Sequence, residues 1–191
     1  AFVESRGSNQ HETQSLDGFL ERISKLVLSK IDNILPRHLK YEQAIDLVAN
    51  EENKYLLDEL DINMLSETII SPLRDIIDRG GKVWRSYVLL LCIDCVGGNS
   101  AKYEHLMSLP EIVHVGSLIV DDIEDESHTR RGGRACHLIH GQAQSINAGT
   151  AAYFLPFHAL FRQTHQLTPD IMLKIYEAAF FSYRAAHVGQ A

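Results

Sequence analysis

The sequence predicts an all-α chain, and three observations carry that expectation. Apolar residues recur at three- and four-residue steps through most of its length, the period of a helix face. Prolines and glycines fall at the ends of those periodic segments, where helices start and stop. No alternating strand pattern of useful length and no internal repeat interrupts them.

Taken in order, residues 1–15 carry no apolar periodicity and are expected to form a flexible lead-in, with one helical domain filling 16–191. From Leu16, the residues Phe19, Leu20, Ile23, Val27, Ile31 and Leu35 share one helix face, and Pro36 ends that segment. A second helix is expected over about Tyr41 to Leu60, and a short third from Pro72 to about Asp78. Gly80-Gly81 opens an apolar run from Trp84 to Val96, which Gly97-Gly98-Asn99 closes. Pro110 starts a segment through Val120 that is apolar nearly all round, hence a central buried helix. Gly132-Gly133 marks a loop. Two further helices are expected near Ala143 to Thr164 and from Thr168.

Composition narrows the classes of function. With 191 residues, 45% hydrophobic and 23% charged, the chain suits one globular domain. A formal charge of −7 argues against nucleic acid as a partner, which needs a broad basic face. No apolar stretch reaches the roughly 18–20 residues of a membrane span, and Ala1 to Gln14 lack a signal-peptide layout. The cytoplasm is the expected compartment, and the missing initiator Met points to a processed or excised chain. The three cysteines do not make a disulfide framework. Cys92 and Cys95 form a C-x-x-C pair inside an apolar run with no second pair, so they read as buried thiols. Trp84 and Phe180-Phe181 read as core packing, and His137 with His140 lacks a third ligand for zinc.

The chemistry gathers where the buried helix ends. Asp121, Asp122, Glu124, Asp125 and Glu126 place five carboxylates within six residues directly after Leu118-Ile119-Val120. Such charges oppose the dipole at a helix C-terminus and repel one another, so a cation should compensate them. Asp121 and Asp125 lie one turn apart, and Asp122 pairs with Asp125 at i, i+3. Hard oxygen donors so spaced suit Mg2+, which keeps waters and takes other ligands from substrate phosphates. Arg130 and Arg131 follow closely, and guanidinium groups match phosphate oxygens bidentately. Upstream, Gly80-Gly81-Lys82 with Arg85 offers close backbone approach and two cations for one anion.

Together these residues resemble the trans-prenyltransferase, or polyprenyl synthetase, family, most closely its geranylgeranyl diphosphate synthases. The family's DDxxD followed by RRG appears as Asp121-Asp122-Ile123-Glu124-Asp125 and Arg130-Arg131-Gly132, and its GGKxxR as Gly80-Gly81-Lys82 with Arg85. His114 matches a His seven residues before the first aspartate. His137, Gly141 and Asn147 match a downstream pattern, and Gly189-Gln190 looks like the start of GQxxD. The resemblance implies an isoprenoid-synthase-type helical bundle around a central cavity. It implies that Lys82, Arg85, His114 and Arg131 hold isopentenyl diphosphate. Asp121, Asp122 and Asp125 would hold Mg2+ on an allylic diphosphate contacted by Arg130. It also implies a homo-oligomer, a homodimer in the family.

Helix geometry extends that reading. Ser117 and Val113 lie four and eight residues before Asp121, below the metal site, with Gly116 adjacent. In the family, bulky aromatics near these positions accompany shorter products, so small Gly116 and Ser117 predict an open tunnel and a product of C20 or longer. Two departures stand out. Arg134 occupies the position where the family usually carries Pro, and no second aspartate-rich motif follows Asp125. The chain is therefore expected to be the N-terminal portion of a prenyltransferase and incomplete by itself. A class I terpene cyclase or prenyltransferase-cyclase fusion, and a non-catalytic subunit of a prenyltransferase complex, remain open alternatives.

Overall fold

A computed structural model of the chain describes residues 16–49, 52–57, 59–161 and 167–190. The expected lead-in of residues 1–15 lies outside them. The described residues form ten α-helices, a few short 3-10 or π segments and one small hairpin.

Helix α1 (Leu16–Asp32) buries Ile23, Val27 and Ile31 at successive turns, as its periodicity requires. Helix α2 (Tyr41–Val48) is much shorter than expected, and Lys54–Leu57 form a separate 3-10 turn. Only Ala44 of α2 is buried, so little packing supports a longer helix. Helix α3 (Ile62–Leu65) starts at Asp61, whose carboxylate accepts from the Asn63 and Met64 amides at 2.9 and 3.0 Å. It runs through a π-helical turn (Ser66–Ile70) straight into α4 (Ser71–Asp78). Helix α4 thus begins within one residue of Pro72, as expected, but it continues directly from the π turn instead of following a loop. The wide π turn takes up the missing amide of Pro72 and the bulk of its ring. Arg74 on α4, buried, reaches Asp32 of α1 at 2.8 Å and Asp78 at 2.5 Å, tying the two helices together.

Helix α5 (Trp84–Cys95) ends at Gly97, whose left-handed backbone (φ 80°) lets the Gly97 and Gly98 amides return to the Asp94 and Ile93 carbonyls. Its inward stripe is narrow: Ser86 and Leu90 are buried, while Trp84, Val88 and Leu91 are exposed. Cys92 and Cys95 lie off that stripe and are exposed, against the expectation of buried thiols, whereas Cys136 is buried. An apolar run does not say which of its faces meets a neighbour.

Helix α6 (Ser108–Glu124) follows a 3-10 segment (Ser100–Met107) and is the central element, burying Leu109, Ile112, Val115 and Ile119. Strands β1 (Thr129–Arg130) and β2 (Gly133–Arg134) pair antiparallel, Thr129 with Arg134 and Arg130 with Gly133. The sequence suggested only a loop here, because two-residue strands are too short to show alternation. Both turn residues have positive φ, Arg131 at 49° and Gly132 at 76°, the requirement of a type I′ hairpin.

Helices α7 (His137–His140) and α8 (Gln142–Ala151) come next, then a 3-10 turn (Leu155–Phe157), α9 (His158–Phe161) and α10 (Pro169–Gln190). The single helix expected to Thr164 is thus divided: α8 stops before Pro156, which cannot donate to it. The main core joins α1, α4, α5, α6 and α8, and a smaller one gathers Leu106, Leu109, Phe157, Leu160 and Leu167 under α10. Phe180 and Phe181 are exposed, not core, since α10 buries none of its own residues. Among the described residues, no helix is long and apolar enough to cross a membrane.

Candidate functional site

The C-terminal end of α6 closes on itself first. Glu126 is left-handed (φ 51°), and the Ser127 amide returns to the Asp122 carbonyl at 2.9 Å. The backbone satisfies its own carbonyls, which leaves the carboxylates for other partners. Asp122 is fully buried. The Arg130 guanidinium, coming from β1, donates through Nε to both Asp122 oxygens at 2.9 and 3.0 Å and through Nη2 to Oδ1 as well. Arg130 Nη2 also approaches Asp121 Oδ2 at 3.4 Å. These carboxylates, Asp122 first, hold the Arg130 pKa above its usual value. Asp121 is partly buried and Asp125 exposed. Gln190, near the end of α10, donates to Asp121 Oδ1 and Glu124 Oε2, each at 3.2 Å.

Arg131 is fixed by a different set. Its Nη1 donates to the Ile76 carbonyl at 3.1 Å and its Nη2 to Glu111 Oε1 at 3.2 Å. Glu111 is buried on α6, and Arg131 balances its charge there. Gly81 lies flat on this guanidinium: a Cβ at that position would sit 3.1 Å from Arg131 Cζ. The GGK loop and the RRG hairpin therefore meet at one place. Val83, buried on that loop, adopts φ 41°, a costly conformation for a β-branched residue, kept where surrounding structure over-determines it. Lys82 is exposed beside it, and the Arg85 guanidinium stacks 4.8 Å over the Trp84 ring.

His114 is half-buried and faces Arg85, Arg131 and Arg130. Burial first, then those three charges, pull its pKa down to about 4. The unfolded chain, with His near 6.5, binds more protons than the folded one between those values, so stability is lost as pH falls through that window. The one-proton limit is about 1.4 kcal/mol per pH unit, and solvent screening of a half-open group reduces it. Melting temperatures measured from pH 6.5 to 4 should fall, and His114→Gln should flatten that slope.

A cleft of about 740 Å³ separates α6 from α10. Val113, His114, Ser117 and Asp121 line it from α6, Arg85 from α5, and Tyr183 and Gln190 from α10. Burial, with Tyr153 beside it, pushes the Tyr183 hydroxyl up to about 12, so it stays protonated. Gly116 is not part of this wall, contrary to expectation. It is buried against α8, where an added Cβ would come within 2.5 Å of Ala152 Cβ and of the Gly149 carbonyl oxygen. Five residues before Asp121 is about 140° round the helix, which points away from the cleft.

Among the described residues, no group of three or more His, Cys, Asp and Glu is gathered for a metal. His140 instead approaches Asp75 at 3.3 Å. Asp122 is turned to Arg130, so Asp121 and Asp125 remain as two carboxylates one turn apart. A family model described as polyprenyl synthetase matches residues 66–191, which contain every element of this site.

The chain belongs to the polyprenyl synthetase family.

Among curated proteins, it is 34% identical over 96 residues to a short chain isoprenyl diphosphate synthase of Methanothermobacter thermautotrophicus, covering 50% of this chain and 30% of that protein. It is 36% identical over 104 residues to a geranylgeranyl diphosphate synthase of Methanosarcina mazei, covering 54% and 32%. A geranylgeranyl pyrophosphate synthase of Eremothecium gossypii is 31% identical over 94 residues, covering 49% and 29%. The chain thus spans about a third of the length of these relatives. Within the polyprenyl synthetase pattern, the sequence pointed to the arginines but not to the groups that hold them, Glu111, Arg79 and Asp75. A lone carboxylate in the apolar stretch of α6 was the available signal for Glu111.

Proposed function

We propose that this chain carries the diphosphate-binding end of a magnesium-dependent trans-prenyltransferase. The enzyme condenses an allylic diphosphate with isopentenyl diphosphate, 1′-4 and head to tail, into an all-trans prenyl diphosphate of C20 or longer. The observation that carries the reading is that Asp121, with its charged surroundings, the cation Arg85 and the neutral imidazole of His114 line one largely apolar cleft. Diphosphate heads need charge complementarity, and prenyl tails need a dry wall. Family membership and the names of the relatives support the same transfer chemistry.

Two carboxylates one turn apart fit Mg2+, which uses few protein ligands and completes its shell with water and phosphate oxygens. Asp121 and Asp125 would hold it, with Asp122 as the group that fixes Arg130. When bound, the metal neutralises charge on the departing diphosphate. Arg130 adds a preorganised donor for the same charge. Lys82, Arg85, His114 and Arg131 bind the isopentenyl diphosphate head, and the tail of the allylic partner lies along Val113 and Ser117. The allylic cation is attacked by the isopentenyl double bond, and loss of a proton restores a double bond. The apolar cleft keeps water from the cation. The proposal includes a homodimer and a cytoplasmic setting, which suits the unpaired Cys92 and Cys95.

Incubating the full-length protein that carries this sequence with Mg2+, farnesyl diphosphate and labelled isopentenyl diphosphate tests it. A linear C20 or longer diphosphate is expected. A C15 limit, measured from dimethylallyl diphosphate, would overturn the length assignment, and a hydrocarbon or no incorporation would overturn the transferase reading.

A further inference from the structure

We propose that Arg79 is a positioning residue whose guanidinium clamps both strands of the RRG hairpin and so sets where Arg130 and Arg131 stand. The part of the claim that concerns anion binding rests on the function proposed above.

Arg79 follows the last turn of α4 and its side chain is largely buried. Its Nη1 donates to two hairpin carbonyls, that of Arg130 on β1 and that of Arg134 on β2, each at 2.8 Å. Its Nη2 donates to Asp75 Oδ2, one turn back on α4, at 2.9 Å. Asp75 Oδ2 is also 3.3 Å from His140 Nε2, so α7 supports the same carboxylate. Gly133 lies flat against the guanidinium: an added Cβ there would come within 2.8 Å of Arg79 Cζ. Neither Arg79 nor Asp75 lines the cleft.

The hairpin needs such a clamp. Its strands are two residues each, too little ladder to be stable alone. Its turn holds Arg131 at φ 49°, a left-handed conformation that is unfavourable for a non-glycine residue. A planar guanidinium with several fixed donors can span two carbonyls and a carboxylate at once; an ammonium on a flexible stem holds no such fork. The side chains it positions then find Asp122 in one case, and Glu111 with the Ile76 carbonyl in the other. Arg79 thus acts through Arg130 and Arg131 and touches no substrate.

Amide hydrogen exchange and calorimetric titration on the full-length protein test this, comparing wild type with Arg79→Lys and with the milder Asp75→Asn. The expected result for Arg79→Lys is exchange about tenfold faster in residues 128–135, with α1 and α8 unchanged, the effect of losing one charge-assisted bond. Affinity for isopentenyl diphosphate should weaken about tenfold, and KM for it should rise more than kcat falls. Asp75→Asn should move both readouts in the same direction by less, and carries the comparison if Arg79→Lys does not fold. Unchanged hairpin exchange in both variants would overturn the clamp. Faster exchange with unaltered affinity would overturn its link to the anion. A wild-type protein that binds no isopentenyl diphosphate would overturn the functional reading, while the exchange data still decide the clamp.

Discussion

Asp122→Ala is expected to cost both stability and turnover, whereas Asp125→Ala should cost turnover alone. The two side chains belong to one acidic motif but sit in different surroundings. Asp122 has no exposed surface and Arg130 keeps about a quarter of its own, so the pair is mostly withdrawn from water. Deleting one member of a buried pair leaves the other charge uncompensated, which costs about 3–5 kcal/mol. The partial exposure of Arg130 places this case at the lower end. The stranded guanidinium still has Asp121 within 3.4 Å and would settle on it, neutralising a carboxylate proposed to face the metal. Turnover should then fall about 10- to 100-fold, as when a group that orients a metal ligand is lost. Asp122→Asn keeps the shape and loses the charge, so its melting point should lie between those of wild type and Asp122→Ala. Asp125 is exposed, and its removal should change stability by less than about 0.5 kcal/mol while raising the Mg2+ needed for turnover. Urea unfolding and Mg2+ titration of initial rates separate the two. An Asp122→Ala protein that unfolds like wild type would rule out the pair as a structural unit.

What the sequence could reveal of this arrangement followed from locality. Helices with a repeating buried stripe, such as α1 and α6, announce themselves because the signal recurs every turn. The acidic motif was legible for the same reason: Asp121 and Asp125 are neighbours in space because they are neighbours on one helix. That Asp122 turns away from them depends on Arg130, eight residues later across a helix end and a hairpin. Arg79 meets carbonyls 51 and 55 residues along the chain, and no local pattern marks such a partner. The exposed cysteines of α5 make the converse point, since apolar character in one segment does not say which side another segment will cover. Pro72 marked the start of α4 to within a residue, because a first-turn proline is a local signal, whereas the π turn that leads into it left no such mark.

Gly116 and Ser117 adjoin in sequence but face different surroundings, and substituting each should separate stability from product length. At Gly116 the obstruction is backbone: the Gly149 carbonyl lies 2.5 Å from where Cβ would stand, and it cannot swing aside as a side-chain end would. Gly149 returns the constraint, since its own Cβ would come 3.1 Å from the Gly116 carbonyl. Helices α6 and α8 can cross this closely only because both positions lack a side chain. Gly116→Ala gains about 1 kcal/mol of helix propensity, which only partly offsets an overpacking cost of about 1–3 kcal/mol. Gly116→Val adds bulk without that gain and should destabilise by about 3 kcal/mol. Ser117 is half-buried, and its hydroxyl returns to the His114 carbonyl of its own helix at 2.8 Å, so its loss breaks no contact between elements. Ser117→Phe can therefore project into the cleft with stability near wild type, one turn below Asp121, and should shift the end product to fewer isoprene units. Chromatography of the products beside thermal melts reads both effects. A shortened product from Gly116→Val at wild-type stability would place Gly116 back on the cleft wall. An unaltered product from Ser117→Phe would mean that the prenyl tail does not descend along α6, because a phenyl ring on that face leaves it no room to pass.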